Sequence, residues 1–439
     1  MTSLTFYGGV GEIGGNKILL KDRDTKVFLD FGVSLASKKQ YYSMPFLTPR
    51  NVESLLELGL LPKIDGVYNF DEKEKSIDAV LLTHSHADHA AYISFLKRSI
   101  PVYCGEATAT ILKASSETQT SRFEYDIEGI QFKTFRTGNK LRIDSLEVEP
   151  IHVDHSCPGA YGFLIHTSAG VIAYTGDFRL HGSKPEMSQE FVEKARESRP
   201  AAVITEGTNM IGASPSTETE VMKSVDSIVG QTSGLVLADF ARADVDRLNS
   251  FYHVAKNSGR ALAITLRQAY LLNKLSDDPH LSLPSLKDEN ILIFQKTKKR
   301  YYEWEKETLK LGNVVDSAKA AEMQRKIILV CSFYDFEELI EIKPIPESCY
   351  ILSASEPFDE EMEIDFERLV NWLVHCGLPQ YHVHVSGHIM PLQLKKVLET
   401  IRPGKTFPVH CNYPELFSRF MRNVGGEILL AEKGREYRI

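Results

Sequence analysis

What this sequence lacks already narrows the class of protein it encodes. No apolar run is long enough to span a bilayer, and the first residues do not form a charged segment followed by an apolar one, as a secretory signal would. The six cysteines include no Cys-x-x-Cys pair, so neither a disulfide framework nor a thiolate zinc site is indicated. We therefore expect a cytoplasmic globular protein with no membrane partner.

An excess of positive charge is also missing, since the formal net charge is −8 at pH 7. This excludes a surface coated in positive charge. It does not exclude nucleic acid, because a local groove can be basic and bound cations supply positive charge where a phosphate reacts. The basic run at residues 296–300 is followed by aromatic residues and could contact a nucleic-acid backbone, although a solvated helix face is the favoured alternative.

The strongest positive signal is a His-x-His-x-Asp-His motif, formed by His84, His86, Asp88 and His89. The apolar residues 77–82 before it predict a buried strand, and residues 90–96 after it predict a helix. Imidazole nitrogens and a carboxylate at such a strand-to-helix turn are the donors that zinc prefers. A polar turn with incidental histidines is the alternative, and the dense spacing of the motif argues against it.

Further histidines and carboxylates follow predicted strands along the chain: Asp30, His155, Asp177, Glu206, His388 and His410. Taken singly, such a residue is more often structural than functional. Because sheet folds gather the carboxyl ends of strands into one crevice, the ends at His155, Asp177 and Glu206 predict a single site together with the histidine motif. Asp30 is a candidate carboxylate behind the metal histidines, and a plain turn residue is an equal alternative.

A glycine-rich stretch at residues 8–16 follows the first predicted strand. A dinucleotide cradle would need a helix behind it, but residues 18–20 predict a second strand instead. We therefore expect a hairpin whose loop backbone lies close to the active site. From residue 234 to about residue 376, predicted strands alternate with helices, which favours an α/β unit built on a parallel sheet.

This ordered set of motifs resembles the metallo-β-lactamase fold and, within that superfamily, the β-CASP nucleases. The resemblance implies an α/β fold, namely an αββα sandwich of metallo-β-lactamase type with an inserted α/β β-CASP domain of parallel-sheet type. The implied boundaries are residues 1–208 for the first part of the metallo-β-lactamase domain, 209–380 for the insertion, and 381–439 for the C-terminal return.

Two stretches, Gly9–Asn16 and His384–His388, are similar to the RNase J branch of these nucleases. The sequence has no counterpart of the C-terminal domain common in bacterial members, nor of the N-terminal KH-type extension of archaeal 3′-end nucleases. A compact, archaeal-type member is therefore expected.

The resemblance also implies roles for individual residues. One zinc ion would be held by His84, His86 and His155 and another by Asp88, His89 and His410, with Asp177 bridging the two. The catalytic residues would be Asp88, Asp177, Glu206 and His388, the last oriented by Glu206 to act on the leaving oxygen. His384, Ser386 and Gly387 would contact a substrate phosphate, although the first two could equally serve to pack their strand.

The implied function is zinc-dependent hydrolysis of single-stranded RNA from 5′ to 3′, with a preference for a 5′-monophosphate end. The implied cofactors are two Zn²⁺ ions per chain, with Mn²⁺ or Mg²⁺ as alternatives. RNA would follow a groove lined with Lys or Arg between the core and the inserted domain, and a homodimer is one expected assembly. The alternatives are an endoribonuclease of the mRNA 3′-end processing type, a small-molecule metallo-hydrolase, and a non-catalytic RNA-binding scaffold.

Overall fold

A computed structural model describes residues 1–43, 47–119, 123–354 and 360–439, with no side chains described at 360–365. The chain divides into two compact units. Unit 1 comprises Met1–Ala213 and Gly387–Ile439, and unit 2 comprises Ser214–Ser386. The predicted boundaries after residues 208 and 380 each lie a few residues before these divisions.

The described residues of unit 1 form two seven-stranded sheets, with strands numbered in chain order through the whole molecule. The first sheet has the order β21-β1-β2-β3-β4-β5-β6, formed by β1 (Thr2–Gly8), β2 (Lys17–Asp22), β3 (Thr25–Leu29), β4 (Ala79–Leu81), β5 (Val102–Gly105), β6 (Phe132–Phe135) and β21 (Glu436–Arg438). The second has the order β20-β19-β11-β10-β9-β8-β7, formed by β7 (Leu141–Ile143), β8 (Leu146–His152), β9 (Tyr161–Thr167), β10 (Gly170–Tyr174), β11 (Ala202–Glu206), β19 (Lys405–Val409) and β20 (Glu427–Ile428).

The two sheets of unit 1 face each other across one apolar core, and helices cover their outer faces. Alternation along β3 shows the arrangement: Val27 and Leu29 enter the core between the sheets, while Phe28 packs on the outer side. Burial of each such side chain contributes roughly 1.5–3 kcal/mol. The result is the expected αββα sandwich, so this part of the fold prediction is confirmed.

The α-helices described in unit 1 range from four to 14 residues in length. They are α1 (Leu35–Lys39), α2 (Val52–Glu57), α3 (Ala87–Ala90), α4 (Glu106–Thr118), α5 (Pro185–Ser198), α13 (Pro391–Ile401) and α14 (Pro414–Phe420). Two 3-10 helices, Ala91–Phe95 and Thr208–Met210, accompany them.

The prediction of a helix over residues 90–96 is wrong, because α3 ends at Ala90 and a 3-10 helix, Ala91–Phe95, follows it. The backbone of this turn is used by a neighbouring segment: the Phe31 N–H donates to the carbonyl of His89 at 2.7 Å. Likewise, the Tyr92 N–H donates to the Phe31 carbonyl at 3.0 Å, so this turn is hydrogen-bonded to a neighbouring segment of the chain. Tertiary contacts thus set the conformation immediately after the histidine motif.

Unit 2 is built on one seven-stranded, wholly parallel sheet in the order β15-β14-β13-β16-β12-β17-β18. Its strands are β12 (Val236–Asp239), β13 (Ala261–Thr265), β14 (Ile291–Gln295), β15 (Asn313–Asp316), β16 (Ile327–Val330), β17 (Cys349–Leu352) and β18 (Gln380–His382). Its helices are α6 (Glu218–Gln231), α7 (Val245–Asn257), α8 (Leu266–Leu275), α9 (Glu303–Leu309), α10 (Ser317–Glu322), α11 (Leu339–Ile342) and α12 (Glu360–Cys376), with 3-10 helices at Gln324–Lys326 and Phe333–Glu338. Apolar clusters cover both faces of the sheet, which confirms the predicted parallel α/β insertion.

The basic run of unit 2 does not lie on a helix face, contrary to the favoured prediction. It occupies the connection between β14 and α9. Lys296 pairs with Asp335 at 2.8 Å, and Lys298 pairs with Glu305. These cations are therefore engaged within the unit.

Among the described residues, no helix combines the length and apolar character needed to cross a bilayer.

Candidate metal centre and active site

The polar side chains singled out in the sequence lie where strands of unit 1 end. His84 follows β4 in the first sheet, and Asp177 and His410 follow β10 and β19 in the second. Strands β10, β11 and β19 are parallel neighbours, so their carboxyl ends share one edge. Glu206, the last residue of β11, lies at the same edge. The predicted crevice of strand ends is therefore present in unit 1.

Three imidazoles form the first donor cluster. The ligand atoms of His84, His86 and His155 lie within 4.8 Å of one another. His86 Nδ1 is 3.1 Å from His84 Nε2 and 3.1 Å from His155 Nε2. Three nitrogen atoms therefore face one point, as a divalent cation with imidazole ligands requires.

A second cluster joins Asp88, His89 and His410, whose ligand atoms also lie within 4.8 Å of one another. His410 Nε2 is 2.9 Å from Asp88 Oδ2. Asp177 lies between the two clusters, with its Oδ2 3.1 Å from His89 Nε2 and 3.8 Å from His84 Nε2. A carboxylate in this position can contact cations held by both clusters.

The electrostatics of the site also fit divalent cations. Burial, followed by the neighbouring imidazoles, lowers the pKa of His84 well below its ordinary value, and burial lowers the pKa of His86 to about 4. Both rings therefore offer a free nitrogen lone pair at neutral pH. Burial alone would raise the pKa of Asp177, but His410 and His89 lower it well below its ordinary value. Asp177 Oδ1 is buried and has no hydrogen-bond partner, which leaves a carboxylate oxygen available to a ligand.

The metal-facing histidines are fixed from behind by a second set of groups. The Nδ1 atoms of four rings each meet an oxygen: His89 with Asp30 Oδ2 at 2.7 Å, His84 with Thr83 Oγ1 at 3.0 Å, His155 with the Gly387 carbonyl at 2.7 Å, and His410 with Thr208 Oγ1 at 2.8 Å. Such contacts fix the tautomer and the orientation of the ring, and so direct Nε2 toward the ion.

Asp30 lies behind the candidate metal-binding histidines, as predicted, and is not a plain turn residue. Besides His89, its carboxylate accepts hydrogen bonds from the Tyr174 hydroxyl at 2.6 Å and from the Thr83 N–H at 2.7 Å. The residue has a φ of 57°, in the left-handed region that is uncommon for residues with a side chain. This strained turn aims the carboxylate back into the site, which a plain surface turn would not need.

The glycine-rich loop between β1 and β2 lies against the second donor cluster. These strands pair antiparallel, which confirms the predicted hairpin. The Asn16 N–H donates to the Asp88 carbonyl at 3.0 Å, and the His410 N–H donates to the Gly9 carbonyl at 2.8 Å. A Cβ on Gly14 would lie 2.6 Å from the Cβ of Asp88, so the close approach requires glycine. The loop thus supports the ligands rather than cradling a dinucleotide.

His388 and Glu206 form a pair beside this centre. His388 Nδ1 is 3.1 Å from Glu206 Oε2 and 3.6 Å from Asp177 Oδ2. Burial lowers the pKa of His388, but the carboxylates of Glu206 and Asp177 raise it further, to about 9. The other oxygen of Glu206 accepts the Phe178 N–H at 2.9 Å. The Glu206 carboxylate is therefore anchored at one oxygen while the other faces the imidazole.

The three candidate phosphate-binding residues are distributed over both units. Gly387 belongs to unit 1, whereas His384 and Ser386 belong to unit 2. Burial, followed by the nearby Arg247, lowers the pKa of His384 to about 4. His384 Nδ1 is buried without a hydrogen-bond partner. The phosphate-contacting role of His384 therefore stays a prediction.

Three residues near the ligands received no role from the sequence: Asn16, Thr83 and Thr208. Asn16 Nδ2 lies 3.1 Å from His89 Nε2, and the two threonine hydroxyls lie behind His84 and His410. The sequence gives only a weak indication of these three residues. Thr83 immediately precedes the histidine motif, and Thr208 follows Glu206 closely in the chain.

Comparisons with known proteins give a consistent result. Residues 68–208 match the family described as the beta-lactamase superfamily domain. The chain is 25% identical to Ribonuclease J of Thermus thermophilus over 457 residues, which cover 98% of this chain and 73% of that protein. It is also 25% identical to Ribonuclease J2 of Bacillus subtilis over 446 residues, covering 97% of this chain and 73% of that protein.

A solved structure shares the fold. It is the crystal structure of a protein of unknown function from Enterococcus faecalis V583, which aligns with a TM-score of 0.78 at 21% sequence identity. The alignment covers 99% of this chain and 99% of the other. At this level of identity the likeness concerns architecture alone.

Proposed function

Because this chain belongs to the RNase J branch of the β-CASP family, within the metallo-β-lactamase superfamily, we propose that it is a 5′-to-3′ exoribonuclease acting on single-stranded RNA. The coarser assignment, a nuclease of RNase J type, follows from the family. The proposal adds a preference for a 5′-monophosphate end and release of mononucleotides. The observation that carries it is the convergence of histidine and carboxylate donors beside the His388–Glu206 pair.

The proposed cofactors are two Zn²⁺ ions, with Mn²⁺ or Mg²⁺ as alternatives. One ion would be held by His84, His86 and His155, the other by Asp88, His89 and His410, with Asp177 shared. When bound, such cations lower the pKa of water and stabilise the attacking and leaving oxygens of an in-line displacement.

The chain's own groups would handle the proton and the substrate. His388, hydrogen-bonded to Glu206, is proposed to donate a proton to the leaving oxygen or to stabilise charge on the phosphorus centre. His384, Ser386 and Gly387, close to it in sequence, are proposed to bind a terminal phosphate one nucleotide from the scissile bond. A pocket sized for one phosphate would reject a 5′-triphosphate, which adds bulk and charge. A second copy of the chain is the proposed protein partner.

The test is a time course on uniformly labelled RNA carrying either a 5′-monophosphate or a 5′-triphosphate, with the products sized. We expect the monophosphate RNA to shorten faster and mononucleotides to be released throughout. The Asp177→Ala variant, purified identically, serves as the control against contaminating nucleases and should be inactive. Equal rates on both RNAs would refute the phosphate pocket. Internal fragments that precede mononucleotides would identify an endoribonuclease instead.

A further inference from the structure

One hydroxyl group meets three functional side chains of unit 1. Thr208 Oγ1 lies 2.6 Å from Glu206 Oε2, 2.8 Å from His410 Nδ1 and 3.3 Å from His388 Nδ1. A hydroxyl has a single hydrogen to donate. The shortest contact is with the carboxylate, which as an ionised acceptor makes the strongest hydrogen bond. The hydrogen of Thr208 therefore goes to Glu206.

This assignment fixes what the oxygen of Thr208 can do for His410. Having donated its hydrogen, the oxygen is left to accept, so the His410 ring carries a hydrogen on Nδ1. His410 Nε2 is then the ring nitrogen that faces the second donor cluster, 2.9 Å from Asp88 Oδ2, and it is the atom that would ligate a bound cation. Thr208 thus presents His410 in the tautomer that a metal ligand requires.

The same arrangement occurs a second time in unit 1. Thr83 Oγ1 is 2.9 Å from Asp30 Oδ2 and 3.0 Å from His84 Nδ1. In both places a threonine hydroxyl connects a buried carboxylate to the Nδ1 atom of a ligand-type histidine. Thr83 is adjacent to its histidine in the chain, whereas Thr208 and His410 come from distant segments. Recurrence from unrelated segments argues for ligand orientation over incidental packing.

We infer that Thr208 is a positioning residue that joins Glu206 to His410, and so couples the proton-handling pair to the second donor cluster. One carboxylate then serves two histidines, His388 directly and His410 through the threonine hydroxyl. The inference rests on the proposed function for the roles of these histidines. It assigns Glu206 an influence on metal binding in addition to its influence on His388.

The first experiment compares Thr208→Val with Thr208→Ser in zinc titrations against a competing chelator. Valine keeps the shape but removes the hydroxyl, so affinity at one of the two sites should fall by about 10–100-fold, as for other partners of metal-binding histidines. Serine retains the hydroxyl and should bind nearly as the unaltered protein does. On RNA, kcat should fall in the valine variant while KM changes little.

Thr406→Val provides a matched control. Thr406 is buried on β19, and its hydroxyl makes no hydrogen bond, so the same chemical change there should leave both zinc sites unaltered. If Thr208→Val binds zinc as tightly as Thr406→Val does, Thr208 has no positioning role.

A second measurement needs no variant and no RNA. Nitrogen NMR of the histidine rings in the metal-free protein should show a hydrogen on His410 Nδ1. A His410 Nδ1 that carries no hydrogen would overturn the inference, even if Thr208→Val failed to fold. Neither the zinc titration nor the NMR measurement depends on RNA cleavage. A failed exoribonuclease assay would therefore refute the proposed function without deciding this inference.

Discussion

At the scale of single residues, His388 and His410 lie close together but have different neighbours. Their ring centroids are 5.2 Å apart. His410 Nε2 faces Asp88 Oδ2 at 2.9 Å, whereas His388 Nδ1 faces Glu206 Oε2 at 3.1 Å. One ring is thus directed at a donor cluster and the other at a carboxylate that orients it.

We expect His388→Ala to keep its metal content while its cleavage rate falls by roughly 10²–10⁴-fold, the usual contribution of a positioned acid or base. His410→Ala should lose one metal ion per chain. Metal analysis by mass spectrometry and RNA cleavage rates provide the two measurements. Zinc lost from His388→Ala but retained in His410→Ala would reverse these roles.

The sequence indicated the candidate ligands better than the groups that orient them. His84, His86, Asp88 and His89 stand out because their spacing is rare outside metal sites. Thr208 did not, since hydroxyls are common at strand ends and its role arises only when His410, distant in the chain, folds against it. Side chains that act through such tertiary contacts leave little trace in a single sequence.

At the scale of elements, the β1–β2 loop offers a test of how closely backbone must approach the ligands. Gly14 and Gly11 both have left-handed φ values, 78° and 65°. A Cβ on Gly14 would meet Asp88 at 2.6 Å, whereas a Cβ on Gly11 would meet nothing within 4 Å.

Gly11→Ala should therefore cost only the backbone strain of a left-handed residue, roughly 1–2 kcal/mol of unfolding free energy. Gly14→Ala should lose more stability and also bind metal less tightly, because Asp88 must shift to admit the methyl group. Denaturant unfolding and zinc titration of the two variants measure both effects. Identical behaviour of the pair would show that the contact with Asp88 is unimportant.

In unit 2, the end of β12 carries a pH-dependent contribution to stability. Burial raises the pKa of Asp239 to about 6, a hydrogen bond from Tyr350 opposes the rise, and the charge of Asp335 adds to it. Because this pKa exceeds its ordinary value of 3.8, the folded protein binds the proton more tightly than the unfolded chain does. The stabilisation is complete below about pH 4 and is lost as the pH rises through about 6.

Asp239→Asn keeps the shape and remains neutral at every pH. The advantage of the variant over the unaltered protein in unfolding midpoint should therefore grow from pH 4 to pH 7. Asp277→Asn, at an exposed position of the same unit, is the control and should show no such trend. A constant difference between the Asp239 variant and the unaltered protein across this range would contradict the prediction.

Helices and strands could be predicted where the hydrophobic periodicity of the sequence is strong. They could not where a strand forms only because it pairs with a neighbouring strand. The five inner strands of unit 2, β12, β13, β14, β16 and β17, are apolar runs covered on both faces, and the sequence predicts them clearly. By contrast, β21 has three residues and exists because it pairs with β1. A strand defined by its partner has no periodic signal of its own.

At the scale of the whole molecule, the ligand-type residues of both clusters belong to unit 1 although unit 2 interrupts it. Asn209 Nδ2 donates to the His388 carbonyl at 2.8 Å, so the two ends of the interruption are close together. A short connection can therefore replace the insertion.

A variant with a short Gly/Ser linker in place of residues 214–386 should fold and still bind zinc. It should lose 5′-end-dependent degradation of RNA, because His384 and Ser386 are removed with the insertion. Zinc titration and the labelled-RNA assay check these outcomes. Loss of zinc binding in a folded variant would show that unit 2 contributes to the metal centre.

The placement of β19 has a consequence for synthesis on the ribosome. β11 pairs with β10 on one side and with β19 on the other, yet 198 residues, including unit 2, are translated between β11 and β19. At roughly 5–20 residues per second, that interval is about 10–40 s. Throughout it, β11 presents an unpaired edge, which invites association with other chains. A nascent chain also cannot complete the second donor cluster before His410 has been made, so chains that end before this residue should lack the second metal site.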